Sequence, residues 1–212
     1  RFLLSQNVKF IMAACGTVSS TYPSAEAAQL PVPYTGVIGA AARAAAAATK
    51  NKRIGVIGTA ATIRSGSYAT QLKDLVPGVQ IFARACPLFV PLVENGYVNG
   101  DKVTQLMIEE YLTPVRDSGI DTLILGCTHY PLLRGVIGSI MGDQVQLVNP
   151  AYETSLALKQ LLIEQDLLNQ GSVEEEFPYR FYVSDAAEKF KSFANSILPY
   201  DVEMTKQVNL EE

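Results

Sequence analysis

Two cysteines in this chain stand where an apolar run gives out. Phe10-Ile11-Met12-Ala13-Ala14 leads into Cys15-Gly16-Thr17, and Thr122-Leu123-Ile124-Leu125-Gly126 leads into Cys127-Thr128-His129. A thiol at the end of a buried strand sits at the mouth of a sheet, where α/β proteins keep their reactive groups. Free cysteine is more often a small apolar filler, and Cys86, in Ala85-Cys86-Pro87 with no acid or base beside it, is read that way. Cys15 and Cys127 differ in setting. Each precedes a threonine, after one residue or directly, and amides at a helix N-terminus are expected to lower their pKa toward the thiolate. Two such tripeptides suggest two thiols facing one site. His129, the only histidine, lies two positions beyond Cys127 and can hold or steer a proton for it. Glu94 follows the apolar loop 87–93 and, if partly buried, would tune a neighbouring group. Thr59 and Thr62 follow the strand that ends at Gly58, where hydroxyls and helix amides suit a carboxylate ligand. Helix capping is the competing role, placed first for Thr62 and Ser65 and level with ligand contact at Thr59.

For these groups to meet, the chain must supply a frame. Short apolar strands alternate with helical stretches almost throughout, which predicts the α/β class, with parallel sheets wrapped by helices. Strands are expected at 9–14, 34–38, 53–58, 80–84, 122–126, 145–148, 180–183 and 202–205; helices are expected at 40–49, 66–75, 100–117, 130–140, 151–165 and 186–196. The nearly pure alanine run 40–48 is helix propensity at its maximum and needs no functional account. The segment 170–178, with Glu174-Glu175-Glu176, reads as a solvated connection without a catalytic role. Breaks near 35–38 and 149–150 would leave 37–148 as one domain, and 1–36 plus 149–212 as a second built from both ends of the chain.

The 212 residues, 48% of them hydrophobic, suffice for a sizeable core. A net charge of −4 with scattered Lys and Arg argues against nucleic acid or an anionic membrane surface as the main partner, so a small ligand is expected. No apolar stretch approaches the roughly 18 to 20 residues of a membrane helix, and the start lacks the pattern of a signal peptide, so a cytoplasmic address is expected. Three cysteines, an odd number, fit a reducing compartment better than a disulfide framework, and their spacing fits no zinc pattern. The chain opens on Arg1 inside what reads as a helix end, which suggests a piece of a longer protein.

Gly126-Cys127-Thr128-His129-Tyr130-Pro131-Leu132-Leu133 resembles the glutamate racemases of the cofactor-independent aspartate/glutamate racemase superfamily. The likeness extends along almost the whole chain, through Ala14-Cys15-Gly16-Thr17, Ile54-Gly55-Val56-Ile57-Gly58-Thr59, Arg64-Ser65-Gly66-Ser67-Tyr68 and the run from Cys86 to Glu94. It implies two Rossmann-like, doubly wound domains facing each other across a cleft, and interconversion of L- and D-glutamate without cofactor or metal, supplying D-glutamate for peptidoglycan. It also implies that Cys15 and Cys127 are the two acid/bases and that Glu94 and His129 assist them. Gly16, Thr17, Thr59, Thr62 and Thr128 fall at positions lining the substrate. Aspartate racemases carry glutamate where His129 stands, so glutamate is the favoured substrate. The chemistry suits the residue types: an α-proton leaves one face while another arrives on the opposite face, so one group starts as thiolate and the other as thiol.

Two departures bear on that expectation. Gly16 stands where most relatives have asparagine, leaving a backbone N–H or a water to serve in place of a side-chain amide. The resemblance also implies something on the order of 50 to 60 further residues before Arg1, about two strand–helix units, including an Asp that assists the first Cys. Without them the chain is expected to be inactive or severely impaired, with an unpaired strand edge. The alternatives are a racemase of aspartate or a hydantoin, or a protein that binds D-glutamate without turnover or inhibits a partner enzyme such as DNA gyrase. The oligomeric state is left open, a homodimer being compatible with the resemblance.

Overall fold

The computed structural model describes residues 1–98, 100–170, 179–202 and 205–209. In chain order the described elements are α1 (Phe2–Ser5), β1 (Ile11–Ala13), α2 (Gly16–Thr21), α3 (Ser24–Ala27), β2 (Tyr34–Gly36), α4 (Ile38–Ala48), β3 (Arg53–Gly58), α5 (Ala60–Ser65), α6 (Ser67–Leu75), β4 (Gln80–Ala85), α7 (Phe89–Glu94), α8 (Lys102–Asp117), β5 (Thr122–Leu125), a 3₁₀ turn (Tyr130–Leu133), α9 (Arg134–Met141), β6 (Gln146–Val148), α10 (Pro150–Glu164), β7 (Phe181–Val183), α11 (Ala187–Ile197) and β8 (Thr205–Gln207). Every strand pair among them is parallel, in sheets ordered β4-β3-β5-β6, β1-β2 and β7-β8. The α/β class with parallel sheets is therefore the one the sequence predicts.

The four-stranded sheet is built on β3 and β5, whose residues from Ile54 to Gly58 and from Thr122 to Leu125 are all buried. Burial on both faces is why these strands read as continuous apolar runs rather than alternations. One face packs Ile54, Val56, Ile124 and Val148 against Ile38, Ala41, Ala42 and Ala45 of α4 and Tyr68 and Leu72 of α6. The alanine run thus does more than favour a helix: its methyl groups let α4 lie close on the sheet. The other face carries Leu123 and the α8 residue Val115, both pressed around Gly55. Chain direction fixes the crevice. From β3 the chain moves outward to β4, then crosses back to β5 on the other side of β3, so the strand order reverses between β3 and β5. In open parallel sheets ligands bind at such a switch point, beyond the carboxyl ends of the strands. Thr59 follows one of those ends and Gly126-Cys127 the other.

Four short helices depart from the sequence reading, the four-residue α3 among them. The loop 87–93 is the helix α7, with Phe89 and Val93 buried one turn apart and Glu94 its last residue. Gly16–Thr21 and Ala60–Ser65 are helical too, each only six residues long. The helix expected over 130–140 divides: Pro131 starts a 3₁₀ turn, and regular α-helix begins only at Arg134. Of the expected connection 170–178, all but residue 170 lies outside the described residues.

Contacts gather the chain into two compact units, Arg1–Asn7 with Leu168–Glu212, and Val8–Leu167. These boundaries differ from the breaks read at 36/37 and 148/149. Helix α10 packs on α4, and α2 packs on α4 and α5, so both segments stay with the four-stranded sheet. The smaller unit holds α1, β7, α11 and β8, with Phe2 edge-on to Tyr182 at 5.0 Å between ring centroids. No helix among the described residues is long and apolar enough to cross a membrane.

Candidate active site

Every residue singled out for chemistry lies in the larger unit. Strand β5 delivers Cys127. Gly126 still bonds to β3, its N–H donating to the Ile57 carbonyl at 2.7 Å, and the chain then turns, with Cys127 N–H donating to Leu125 O at 2.8 Å and Tyr130 N–H to Cys127 O at 3.1 Å. Tyr130 anchors this turn from beneath: it is fully buried and its hydroxyl donates to Cys86 O at 2.8 Å. Cys86 is itself completely buried, and burial pushes its thiol up to about 12, as befits a core filler.

Behind Cys127 runs a chain of polar contacts. Its Sγ lies 3.8 Å from His129 Nδ1, and His129 Nε2 lies 3.4 Å from Glu94 Oε1. Thr128 Oγ1 is 3.5 Å from the same Nδ1. The end of α7 thus carries a carboxylate to the imidazole, and the turn after β5 carries the imidazole to the thiol. The Cys127 pKa is raised above the ordinary thiol value, chiefly by burial; donation from the His129 amide pulls the other way, the charge of Cys15 adds to the rise, and the Thr128 hydroxyl and amide lower it again. The sequence reading expected the opposite direction, since amide donors favour a thiolate. They are present, but desolvation outweighs them.

Cys15 ends the β1 segment as the residue before α2, its backbone extended and its carbonyl accepting from Ser19 N–H at 2.8 Å. It is exposed, whereas Cys127 is half-buried. The segments that carry the two thiols meet one residue away, where Gly16, after Cys15, packs on the carbonyl of Gly126, before Cys127. Gly16, the next residue, is buried against the Gly126 carbonyl.

The threonines form a second cluster. Thr17 Oγ1 lies 2.8 Å from Thr59 Oγ1 and 3.4 Å from Thr62 Oγ1, and the latter two are 3.0 Å apart. Helix α2 brings the first hydroxyl and the β3–α5 turn the other two. Capping falls at Thr59, whose Oγ1 accepts from Thr62 N–H at 3.2 Å, and not at Thr62, which is buried inside the helix. Ser65 accepts from Ser67 N–H at 3.2 Å and so serves the start of α6. Three hydroxyls with rotatable protons, backed by strand-end amides, can turn their donors toward a carboxylate.

A cavity of about 110 Å³ opens beside Cys127, bordered by Met12, Ala14, Gly16, Val37, Thr128 and Thr154. Thr154, on α10, was not picked out from sequence. It is buried, and its Oγ1 has no hydrogen-bond partner among the described residues. No local pattern marks it; only the packing of α10 reveals it. Among the described residues no three His, Cys, Asp or Glu side chains are gathered as metal ligands would be. The arrangement suits proton transfer at a small, carboxylate-bearing molecule: two thiols, an imidazole–carboxylate pair behind one of them, and a cluster of hydroxyl donors on α2 and the β3–α5 turn.

Comparison with known proteins agrees with that chemistry. The Asp/Glu/hydantoin racemase family matches residues 2–154. A glutamate racemase of Geobacter metallireducens is 42% identical over 210 residues, covering 99% of this chain and 77% of that protein, and one of Syntrophus aciditrophicus is 41% identical over 209 residues, covering 99% and 76%. Among solved structures, a glutamate racemase isoform of Bacillus anthracis superposes with a TM-score of 0.91 at 33% identity, and the Francisella tularensis enzyme in complex with D-glutamate with 0.87 at 36%; each comparison covers 99% of this chain and 77% of the other. On this evidence the chain belongs to the Asp/Glu/hydantoin racemase family and is an amino-acid racemase.

Proposed function

We propose that this racemase interconverts L- and D-glutamate by a two-base transfer between Cys15 and Cys127, and that it supplies D-glutamate for peptidoglycan in the cytoplasm. The observation that supports the mechanism is the pair of strand-end thiols, one exposed and one half-buried, carried on segments that meet where Gly16 lies against the Gly126 carbonyl. The glutamate relatives, and the D-glutamate held by the Francisella tularensis enzyme, support the substrate. In one direction the thiolate takes the α-proton, the C–H electron pair stays on Cα and spreads into the carboxylate, and the opposite thiol gives its proton to the other face. One S–H bond forms as another breaks. In the reverse direction the roles exchange.

The Thr17, Thr59 and Thr62 hydroxyls, with Thr128 and the Gly16 backbone, hold the substrate and donate to the carboxylate as charge builds there. His129 and Glu94 steer the proton of Cys127.

Single serine variants of the full-length gene product test it. Cys15→Ser and Cys127→Ser should each lower racemisation by about 10²- to 10⁴-fold, the usual weight of a positioned acid/base. Each should abolish solvent-deuterium exchange at Cα from one enantiomer and spare it from the other, in opposite senses. Full bidirectional racemisation by either variant would end the two-cysteine scheme, and exchange of aspartate but not glutamate would end the substrate assignment.

A further inference from the structure

We propose that Ser19 is a positioning residue for Cys15, its hydroxyl holding the chain beside that thiol and tying it to the core; the inference rests on the two-cysteine reading. Cys15 is exposed and stands between a three-residue strand and a six-residue helix, so its place depends on the backbone around it. Ser19 grips that backbone on both sides of the Ala14–Cys15 step. Its N–H donates to Cys15 O at 2.8 Å, within the first turn of α2. Its Oγ donates to Ala13 O at 2.9 Å, two residues before the thiol, and accepts from Val37 N–H at 3.1 Å. A serine hydroxyl has one proton to give and lone pairs to receive with, and here both capacities are used by groups on two other elements.

The bond to Val37 is what makes the grip rigid. Val37 is buried and starts α4, whose next residue, Ile38, belongs to the core packed on the four-stranded sheet. Without the hydroxyl that buried N–H and the Ala13 carbonyl both lose a partner, and the chain must shift to satisfy them. The fit is close: a Cβ added at Gly36, the residue paired with Ala13 in the β1–β2 register, would lie 2.7 Å from Ser19 Oγ and 2.8 Å from Ser19 Cβ. The rest of α2 has ties of its own. Thr17 Oγ1 stays 2.8 Å from Thr59 Oγ1, and Ser67 Oγ donates to Ser20 O at 3.2 Å. Loss of the Ser19 hydroxyl therefore loosens the β1 side of the helix, where Cys15 stands, and leaves the threonine cluster and the β5 turn with Cys127 in place.

A residue that places only one of two opposed thiols leaves a one-sided signature. Exchange of the α-proton with solvent begins with a single thiolate, and the enantiomer that depends on Cys15 is the one silenced by Cys15→Ser. In the full-length gene product, Ser19→Ala should lower exchange from that enantiomer about tenfold and leave exchange from the other within about twofold, because a small misplacement of a reacting group is costly. Racemisation needs both thiols and should fall about tenfold in each direction, with KM within about threefold. Ser19→Thr keeps the hydroxyl and should stay within about threefold of wild type. A loosened fold would instead depress exchange from both enantiomers alike. Should Ser19→Ala not fold, Gly36→Ala takes its place, since its Cβ drives the hydroxyl from its partners and the same one-sided loss is expected. Wild-type exchange in Ser19→Ala, equal losses from both enantiomers in a folded variant, or no recovery in Ser19→Thr would each overturn the inference. If Cys15→Ser itself keeps exchange from both enantiomers, it is the two-cysteine reading that has failed; if Cys15→Ser is one-sided and Ser19→Ala is not, only the positioning inference has.

Discussion

A thiol made reluctant to ionise becomes a stronger base once it has ionised, and under the proposed two-base mechanism Cys127 would use this. Its carbon acid is weak, so a high thiolate basicity helps the step that removes the α-proton, at the cost of a smaller ionised fraction near neutrality. Because burial raises its pKa, kcat/KM in the direction that begins with Cys127 as thiolate should climb with pH through and beyond about 8.5, the ordinary thiol value. Initial rates from each enantiomer across pH would check this, and an alkaline plateau already reached at neutral pH would contradict it. The same shift has a stability sign. The folded state holds the proton more tightly than the unfolded chain, so this contribution is complete below the unfolded thiol value and is lost as pH rises through the folded one. Glu94 belongs to the same proton economy, its carboxylate 3.4 Å from His129 Nε2. Glu94→Gln keeps the shape and removes the charge, so kcat should fall by about tenfold, short of the 10²–10⁴-fold typical of a direct acid/base. An unchanged kcat and pH profile would leave Glu94 a bystander.

At the scale of elements, the start of β5 is fixed as firmly as its end. Asp121 accepts from Thr49 Oγ1 at 2.7 Å, the Lys50 and Asn51 amides at 2.6 and 2.7 Å, and Thr122 Oγ1 at 2.9 Å, joining the α4–β3 connection to β5. Burial works against this carboxylate, yet the donors prevail and hold its pKa below the usual value. Asp121→Ala should therefore cost about 2 kcal/mol in urea unfolding, and the wild-type advantage, fully present above the unfolded Asp value, should vanish as pH falls through the depressed folded one. An equal difference at pH 7 and at strongly acid pH would contradict that assignment. Asp121 illustrates what a sequence hides, since three of its four donors come from a segment some 70 residues away. Strands β3 and β5 were legible because burial on both faces writes an unbroken apolar run. Helices α2, α5 and α7 were not, because six residues or fewer carry too little periodicity to read. Both thiols, the histidine, Thr59 and Thr62 stand out as candidates by their positions after strands, whereas Thr17 and Thr128 enter through the family resemblance. The raised pKa of Cys127, the hydroxyl triangle and the Gly16–Gly126 contact could not be read, for each depends on how separate segments pack.

Across the whole molecule, core is distributed unevenly. The larger unit contains the fully buried Ile54, Ile57, Leu72, Leu123, Ile124 and Leu125, whereas the described residues of the smaller one contribute only Ala194 and Val202 to the buried apolar set. Fully burying a large aliphatic side chain stabilises by roughly 1.5–3 kcal/mol, so the first set outweighs the second several times over. Local opening should accordingly be easier in the smaller unit, whose strands β7 and β8 pair over only three residues each. Native-state hydrogen exchange reads this directly. Amides of β3 and β5 should exchange only through global unfolding, with the largest urea dependence, while those of Phe181–Val183 and Thr205–Gln207 should exchange orders of magnitude faster and with little urea dependence. The candidate site residues all lie in the larger unit, which is the stability the proposed two-base mechanism would need if its thiols are to stay in register through each turnover. Equal protection in both units would show that they unfold as one.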